Sequence, residues 1–359
     1  MERCTLTGTA SANPGFAYDG YNRFWRVADL LMRDVEPLAD DWLRLLDAPG
    51  YRELTLREFA RDTLPELFRL AFKPSLGASL ARALQGGPLA GQLAHLLHAE
   101  QTRADLARRL ELVSRLPLAA AAMEAALAWL PRNTRAVFPT VAFVIFGPDA
   151  RAYQSVVLDV AFFCRLDAPH LLLGHEYHHI LRGPMAPSDA QCGDEATACR
   201  VLAQLEREGI ADQIDKRDWP DTAQPASWPR ADYLRRYRRH YEAAPDALRH
   251  LDRLLAAWPA AGGERGPLAR HLQGWLQLAG HPVGSYMART IERVLGRDLL
   301  VGTVGEPFAF LRLYSEAAAS GTWAPPLGAQ ALQAVAMLEH RWLQPLETTT
   351  LGRAADSAT

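Results

Sequence analysis

The chain has 359 residues, 49% of them hydrophobic and 22% charged, which excludes a disordered or fibrous protein and allows one large domain or two to three smaller ones. Its 39 basic and 41 acidic residues give a net charge of −2, so no global field attracts nucleic acid or anionic membranes. The four cysteines form no C-x-x-C pair, which argues against a cysteine zinc site. No stretch of about 18 uncharged apolar residues exists, and residues 1–18 lack a signal-type run, so we expect a cytoplasmic protein without a membrane span.

Helical periodicity dominates residues 24–130. Apolar residues recur at spacings of three and four, beginning with Phe24, Val27 and Leu31. Turn signals rich in Pro and Gly interrupt this pattern at residues 48–50, 73–74 and 86–88. The sequence therefore predicts a helical N-terminal part that comprises residues 1–130.

Residues 136–146 and 155–163 are rich in β-branched and aromatic side chains, which is typical of strands. A turn sequence at residues 147–150 separates them, so the two segments are predicted to pair as an antiparallel sheet. Pro139 favours an edge position or a strand start for the first segment. Because helices flank this small sheet, the predicted fold class is α+β and predominantly α-helical.

Two helices are predicted after the strands. The first has Asp167 as its N-cap and ends at about Arg182. The second begins near Ser188, with Gln191 as a capping-box partner, and ends at about Ile214.

Changes in composition and periodicity divide the rest of the chain into a core, a linker, a helical part and a tail. Residues 131–218 form a central core that contains both strands and both helices. A Pro-rich, polar stretch at residues 219–230 is the predicted linker. Helical periodicity resumes in a C-terminal part, residues 231–346, and the polar residues 347–359 are predicted to be a flexible tail.

The first helix of the central core contains the pattern H-E-x-x-H at His175, Glu176 and His179. Residues four apart lie on one face of a helix, so the two imidazoles can bind one metal ion. Glu176 lies one residue further round and can reach a water on the metal instead of the metal itself. His178, inside the motif, cannot share the ligand face and is expected to be a structural or surface histidine.

A catalytic zinc site needs a third protein ligand, and the second helix of the core offers one. Its apolar stripe through Val201 and Leu205 ends in two carboxylates, Glu208 and Asp212. Because buried carboxylates need a cation or strong donors, Glu208 is predicted on the metal and Asp212 as the acceptor for the ring N–H of a ligating histidine. Gly209 would let the two motif helices approach closely.

Other patterns predict no further chemistry. Glu206 faces elsewhere on its helix and is the weaker ligand candidate. Residues 230–250 alternate Arg and Tyr, which we interpret as a buried tyrosine stripe with a solvated arginine face, so nucleic acid is not an expected partner. The chain has no Gly-rich phosphate loop before a helix and no G-x-S-x-G elbow, which argues against nucleotide binding and serine-hydrolase chemistry.

H-E-x-x-H followed on a second helix by E-x-x-x-D resembles the gluzincin metallopeptidases. More narrowly, the chain is similar to an uncharacterised bacterial family described as zinc-dependent proteases, over roughly residues 20–320. The similarity also includes residues 42–51, 283–297 and 308–314. The resemblance implies a small sheet beside an active-site helix, one Zn²⁺ per chain and a peptide or protein substrate.

The chain departs from this family at one position near a predicted helix start. The family carries a Tyr three residues before the glycine that corresponds to Gly284, where this chain has His281. Either His281 or Tyr286 could therefore be the hydrogen-bond donor that stabilises a tetrahedral oxyanion opposite the metal.

The sequence thus predicts a zinc metallopeptidase with residues 131–218 as its zinc-binding catalytic core. His175, His179 and Glu208 would hold Zn²⁺, and Glu176 would act as general base and then as general acid. Two alternatives stay open: a non-catalytic helical protein that zinc stabilises for a regulatory or interaction role, and a helical interaction protein without metal. Glu176 favours the peptidase, since a structural zinc site does not need that carboxylate. Substrate preference, endo- or exopeptidase action, the choice among divalent ions and the oligomeric state do not follow from the sequence.

Overall fold

A computed structural model describes residues 13–183, 195–221, 230–261, 265–321 and 323–343. The chain divides into two compact units, the first with residues 1–183 and 211–236 and the second with residues 184–210 and 237–359. The predicted helix start at Ser188 and Gln191, most of the predicted linker and the predicted tail lie outside the described residues.

The N-terminal stretch of the first unit is helical, as the periodicity predicts. Its helices are α1 (Asp19–Leu31), α2 (Ala39–Leu46), α3 (Tyr51–Arg57), α4 (Thr63–Phe72), α5 (Gly77–Leu84), α6 (Ala90–Gln101), α7 (Arg103–Ser114) and α8 (Leu118–Leu127). The predicted stripe of Phe24, Val27 and Leu31 is buried on α1. The three predicted turn sequences fall between α2 and α3, between α4 and α5, and between α5 and α6.

The first unit also holds a four-stranded sheet. Its strands are β1 (Phe16–Ala17), β2 (Val141–Val144), β3 (Ala150–Ala152) and β4 (Val156–Asp159), in the spatial order β1-β2-β4-β3. β1 pairs parallel with β2, β2 pairs parallel with β4, and only β3 pairs antiparallel with β4. The predicted fold class, α+β and predominantly helical, is confirmed.

The predicted antiparallel pairing of the two main strands is wrong, because β2 and β4 run parallel. Both strands are buried at every position, and a continuous apolar run is typical of parallel strands with both faces covered. The intervening residues contain β3, which lies on the far side of β4 and returns through a tight turn between Tyr153 and Ser155. The segment interpreted as a simple turn is therefore part of a crossover.

β4 ends at Asp159, and the residues predicted to continue it form the short helix α9 (Val160–Phe163). The fully buried Asp159 carboxylate accepts hydrogen bonds from the amides of Phe162, Phe146 and Gly147 at 2.9, 2.8 and 3.1 Å. It also lies 2.9 Å from Nε2 of the buried His95. The side chain of Asp159 thus caps α9 and also holds the backbone of Phe146 and Gly147, just after β2, through hydrogen bonds.

We expect Asp159→Asn to lower the free energy of unfolding by about 1.5–3 kcal/mol, the value of hydrogen bonds to a buried charged group. The amide nitrogen of Asn must face N–H donors whichever way the side chain is turned, since both oxygens of Asp159 accept. Urea unfolding would measure the change. Asp167→Asn is the control, because Asp167 is exposed and an effect within about 0.5 kcal/mol is expected there. Equal stability of both variants would contradict this role of Asp159.

Helix α10 (Pro169–Arg182) follows and contacts β3 and β4, so the sheet lies beside the helix of the H-E-x-x-H motif as predicted. Its N-cap is Ala168, without a side-chain cap, and the predicted cap at Asp167 is wrong by one residue. Pro169 occupies the first turn, where its missing N–H needs no cap and its fixed φ suits the helix.

The second unit is helical throughout its described part. Two helices, α11 (Ala196–Asp215) and α12 (Arg230–Glu242), include residues of both units. The others are α13 (Ala244–Ala256), α14 (Arg265–Trp275), α15 (His281–Leu295), α16 (Arg297–Val301), α17 (Pro307–Ser320) and α18 (Ala329–Leu343). α13 packs on α18 and α15 packs on α17. Among the described residues, none of the helices has the length and apolar character to cross a membrane.

Candidate metal centre

Helix α10 is held closely against its neighbours in the first unit. A β-carbon on Gly174 would lie 3.0 Å from the Ala122 carbonyl of α8 and 3.3 Å from the Ile214 side chain of α11. His175 and Glu176, which follow Gly174, are buried with exposures of 2% and 6%. Because Gly174 has no side chain, α10 can pack this closely against α8 and α11, and the motif residues that follow it are buried inside the unit.

The two histidines of the motif face each other. Nε2 of His175 lies 2.9 Å from Nε2 of His179, and the rings are edge to face with centroids 4.6 Å apart. Their spacing of four residues puts both rings on one side of α10. The neighbouring His178 points elsewhere: it is fully buried, and its Nε2 lies 3.2 Å from the Trp129 carbonyl. Burial, followed by the nearby His179 and Arg182, lowers the pKa of His178 well below its usual value.

The second ring nitrogen of His175 contacts carboxylates of α11. Nδ1 lies 3.0 Å from Oδ1 of Asp215 and 3.7 Å from Oδ1 of Asp212, so its hydrogen is donated to Asp215. This bond selects the tautomer whose Nε2 lone pair is available to a cation. Sequence reasoning missed Asp215. The spacing of Asp215 seven residues after Glu208, two helical turns along the same face, was the available signal.

A buried lysine pairs with both of these carboxylates. Nζ of Lys216 lies 2.9 Å from Asp212, 2.9 and 3.0 Å from the two oxygens of Asp215, and 3.3 Å from Nδ1 of His175. Burial alone would raise the pKa of Asp215, but the charge of Lys216 and the contacts with His175 and Lys216 outweigh it and hold that pKa well below its usual range. Burial would likewise lower the pKa of Lys216, and Asp212 and Asp215 instead raise it. Asp215 and Lys216 are therefore both charged at neutral pH.

In the second unit, Glu208 is buried on α11 and contacts His281 at the start of α15. The distance from Oε2 of Glu208 to Nδ1 of His281 is 3.4 Å. Oε1 accepts a hydrogen bond from Gln204 at 2.9 Å and lies 3.5 Å from Nε of Arg207. The weaker candidate Glu206 faces the start of α17, where it accepts the amide N–H of Gly305 at 3.1 Å.

A left-handed turn places His281. Leu278, Ala279 and Gly280 all have positive φ, of 47°, 53° and 86°, directly before the first residue of α15. For the two residues with a β-carbon this conformation costs about 1–2 kcal/mol each. Such strain persists only where the surroundings enforce it, which makes the position of His281 a defined feature of the fold.

The hydroxyl of the other donor candidate, Tyr286, is hydrogen-bonded to a backbone carbonyl. This hydroxyl donates to the carbonyl of Trp323 at 3.3 Å, and the ring packs edge to face on Tyr241 and Trp323. Burial raises the pKa of Tyr286. Of the two candidates, His281 is the one whose ring nitrogen lies beside Glu208.

Gly209 does permit a close helix approach, but in this unit its partner is α15. A β-carbon on Gly209 would lie 2.4 Å from the carbonyl oxygen of Gly284, and one on Gly284 would lie 2.3 Å from that of Leu205. The prediction assigned Gly209 to an approach of the two motif helices. For α10 and α11 the residue at the close contact is Gly174, next to Ile214.

Among the described residues, the side chains that could hold a metal ion include the pair His175 and Asp212 in the first unit and the pair Glu208 and His281 in the second. Within each pair the ligand atoms lie within 4.8 Å of each other. One continuous helix, α11, carries Glu208 and Asp212 one turn apart.

The model of one protein family, described as "Putative zinc dependent peptidase (DUF5700)", matches residues 42–321, well over half of the chain. The chain belongs to this family. The match includes both motif helices and α15, and it confirms the resemblance noted in the sequence. Comparisons with curated proteins and with solved structures gave no match.

The residues in place fit the divalent zinc that the family description names. Zinc in proteins is bound by imidazole nitrogens and carboxylate oxygens, and a ligating imidazole usually donates its other N–H to a carboxylate. His175 meets both conditions, since its Nε2 faces that of His179 and its Nδ1 faces Asp215. His, Glu and Asp side chains that could hold a metal ion are therefore part of this family member.

Proposed function

We propose that the chain is a zinc metallopeptidase of the gluzincin type that holds one Zn²⁺ through His175, His179 and Glu208. The observation that carries the proposal is the 2.9 Å approach of the two Nε2 atoms on α10, with Nδ1 of His175 turned to a carboxylate. Glu208 is the third ligand because it is buried on α11, one turn before Asp212, whose carboxylate lies 3.7 Å from Nδ1 of His175. The family description supports both the metal and the class of reaction.

Zinc, when bound, lowers the pKa of a coordinated water toward about 7 and polarises a carbonyl group. The chain supplies the proton transfers. Glu176, buried next to His175, accepts the proton of the attacking water and gives it to the leaving amine. Asp212 stays near His175 as part of the charged group around Lys216.

The remaining role is that of a donor to the developing oxyanion. His281 suits it best, because its imidazole lies beside Glu208 and is partly accessible, with 18% of the side chain exposed. Tyr286 is the second candidate, and its hydroxyl would have to leave the Trp323 carbonyl. A peptide or protein substrate and a cytoplasmic location belong to the same proposal.

Digestion of a diverse peptide library, read by mass spectrometry, tests this function. Zinc-loaded protein is expected to cleave peptides, protein stripped of metal is not, and added zinc is expected to restore cleavage. The zinc content per chain is measured on the same samples. One zinc per chain without cleavage would indicate the non-catalytic zinc-stabilised protein, and absence of bound zinc would indicate a helical interaction protein.

A further inference from the structure

The group around His175 contains two aspartates, and the structure distinguishes them. Asp215 lies 3.0 Å from Nδ1 of His175, within hydrogen-bond distance, whereas Asp212 lies 3.7 Å away. The oxygen of Asp212 that faces His175 is also the one that Lys216 holds at 2.9 Å. The side chains of both aspartates are at most 3% exposed, so water does not compete for these contacts.

We propose that Asp215, held in place by Lys216, is the positioning residue that orients His175 for the metal. This inference rests on the proposed function for the identity of the metal ligand. It assigns to Asp215 the role that the E-x-x-x-D spacing assigned to Asp212. Asp212 then serves as the second carboxylate on Lys216.

Lysine suits the position of the cation. Its ammonium group is compact and has three N–H donors, and here it contacts one oxygen of Asp212 and both oxygens of Asp215. Lys73 and Lys216 are the only lysines among the 39 basic residues of the chain. The Trp219 ring, with its centroid 5.7 Å from Nζ, covers the ammonium group, and Tyr233 packs edge to face on Trp219.

This arrangement determines how firmly His175 can be held. A free carboxylate could rotate and release the Nδ1 hydrogen, but both oxygens of Asp215 are engaged by Lys216. Lys216 is 6% exposed and immediately follows Asp215 at the end of α11, so burial as well as charge keeps the two side chains together. An oriented imidazole with a carboxylate on its second nitrogen is a stronger metal ligand.

The test is zinc affinity, measured on the full-length protein by competition with a chromophoric chelator. We expect Asp215→Leu, which keeps the side-chain size but cannot accept a hydrogen bond, to weaken zinc binding about 10- to 100-fold. Asp215→Asn retains one acceptor oxygen and is expected to recover part of that loss. The matched control is Glu206→Leu, which removes a buried carboxylate of the same helix that accepts from Gly305. It is expected to lower Tm and leave zinc affinity within about twofold of the wild type.

The link to Lys216 is tested by a double-mutant cycle on the Tm of the metal-free protein. Lys216→Met leaves two buried carboxylates without their cation and is expected to lower Tm strongly. In the Asp215→Leu background the same change is expected to lower Tm by no more than half as much. Equal losses in both backgrounds would overturn the role of Lys216.

Wild-type zinc affinity in Asp215→Leu, or an equal loss in Glu206→Leu, would overturn the role of Asp215. These measurements use no substrate. Failure of the zinc-loaded wild type to cleave any peptide would therefore overturn the proposed function without changing the result for Asp215.

Discussion

Glu176→Gln is expected to lower the rate of peptide hydrolysis by the zinc-loaded protein about 100- to 10,000-fold, the usual contribution of a general acid–base. Glutamine has the same shape as glutamate but cannot accept the proton of a water. Glu176 is 6% exposed, so water from bulk solvent has little access to act as the base in place of the carboxylate. Zinc content is expected to stay at the wild-type value, because Glu176 is not among the proposed ligands. Initial rates on one cleaved library peptide, with zinc measured on the same preparation, check both statements.

Glu206→Gln is the matched control for this experiment, since it makes the same chemical change at a buried carboxylate that contacts Gly305. Its rate is expected to stay within a few-fold of the wild type. A Glu176→Gln protein that binds zinc and keeps at least a tenth of the wild-type rate would show that another group transfers the proton. The proposed mechanism would then be wrong even if the protein is a peptidase.

Local patterns in the sequence were enough to predict the N-terminal helices and the shared helix face of the two motif histidines. Apolar spacing predicted the buried face of α1, and Pro and Gly marked the turns between the N-terminal helices. The spacing of His175 and His179 predicted that their rings share one face of a helix, because that relation depends only on helical geometry. These features depend on residues that are close together in the chain.

Relations between distant segments did not follow from local pattern. A buried apolar run pairs equally well in either direction, so the parallel pairing of β2 with β4 was predicted wrongly. Asp215 and Asp212 lie on the same side of α11, and only the packing of α10 against that helix decides which carboxylate meets His175. The contact between Glu208 and His281 joins residues 73 positions apart, and a left-handed turn at Leu278 creates it.

The crossing of α11 and α15 makes the strongest prediction about stability. At this point the two helices touch backbone to backbone, since a β-carbon on Gly209 would lie 2.4 Å from the carbonyl oxygen and 2.5 Å from the carbonyl carbon of Gly284. Neither atom belongs to a flexible side chain that could turn away. We therefore expect Gly209→Ala to lower the free energy of unfolding by about 3 kcal/mol or more, at or above the upper end for overpacked cores. Thermal and urea unfolding measure it.

Gly274→Ala in α14 is the matched control, because a β-carbon there meets no atom within 4 Å. Alanine is the better helix former, so this variant is expected to be as stable as the wild type or slightly more stable.

Gly209→Ala should also weaken zinc binding, because separating α11 from α15 moves Glu208 away from His281, which lies 3.4 Å from it in the wild type. If Gly209→Ala unfolds like Gly274→Ala, the two helices can move apart at little cost, and the crossing does not fix the position of Glu208. If it unfolds early but binds zinc normally, the crossing stabilises the unit without shaping the site.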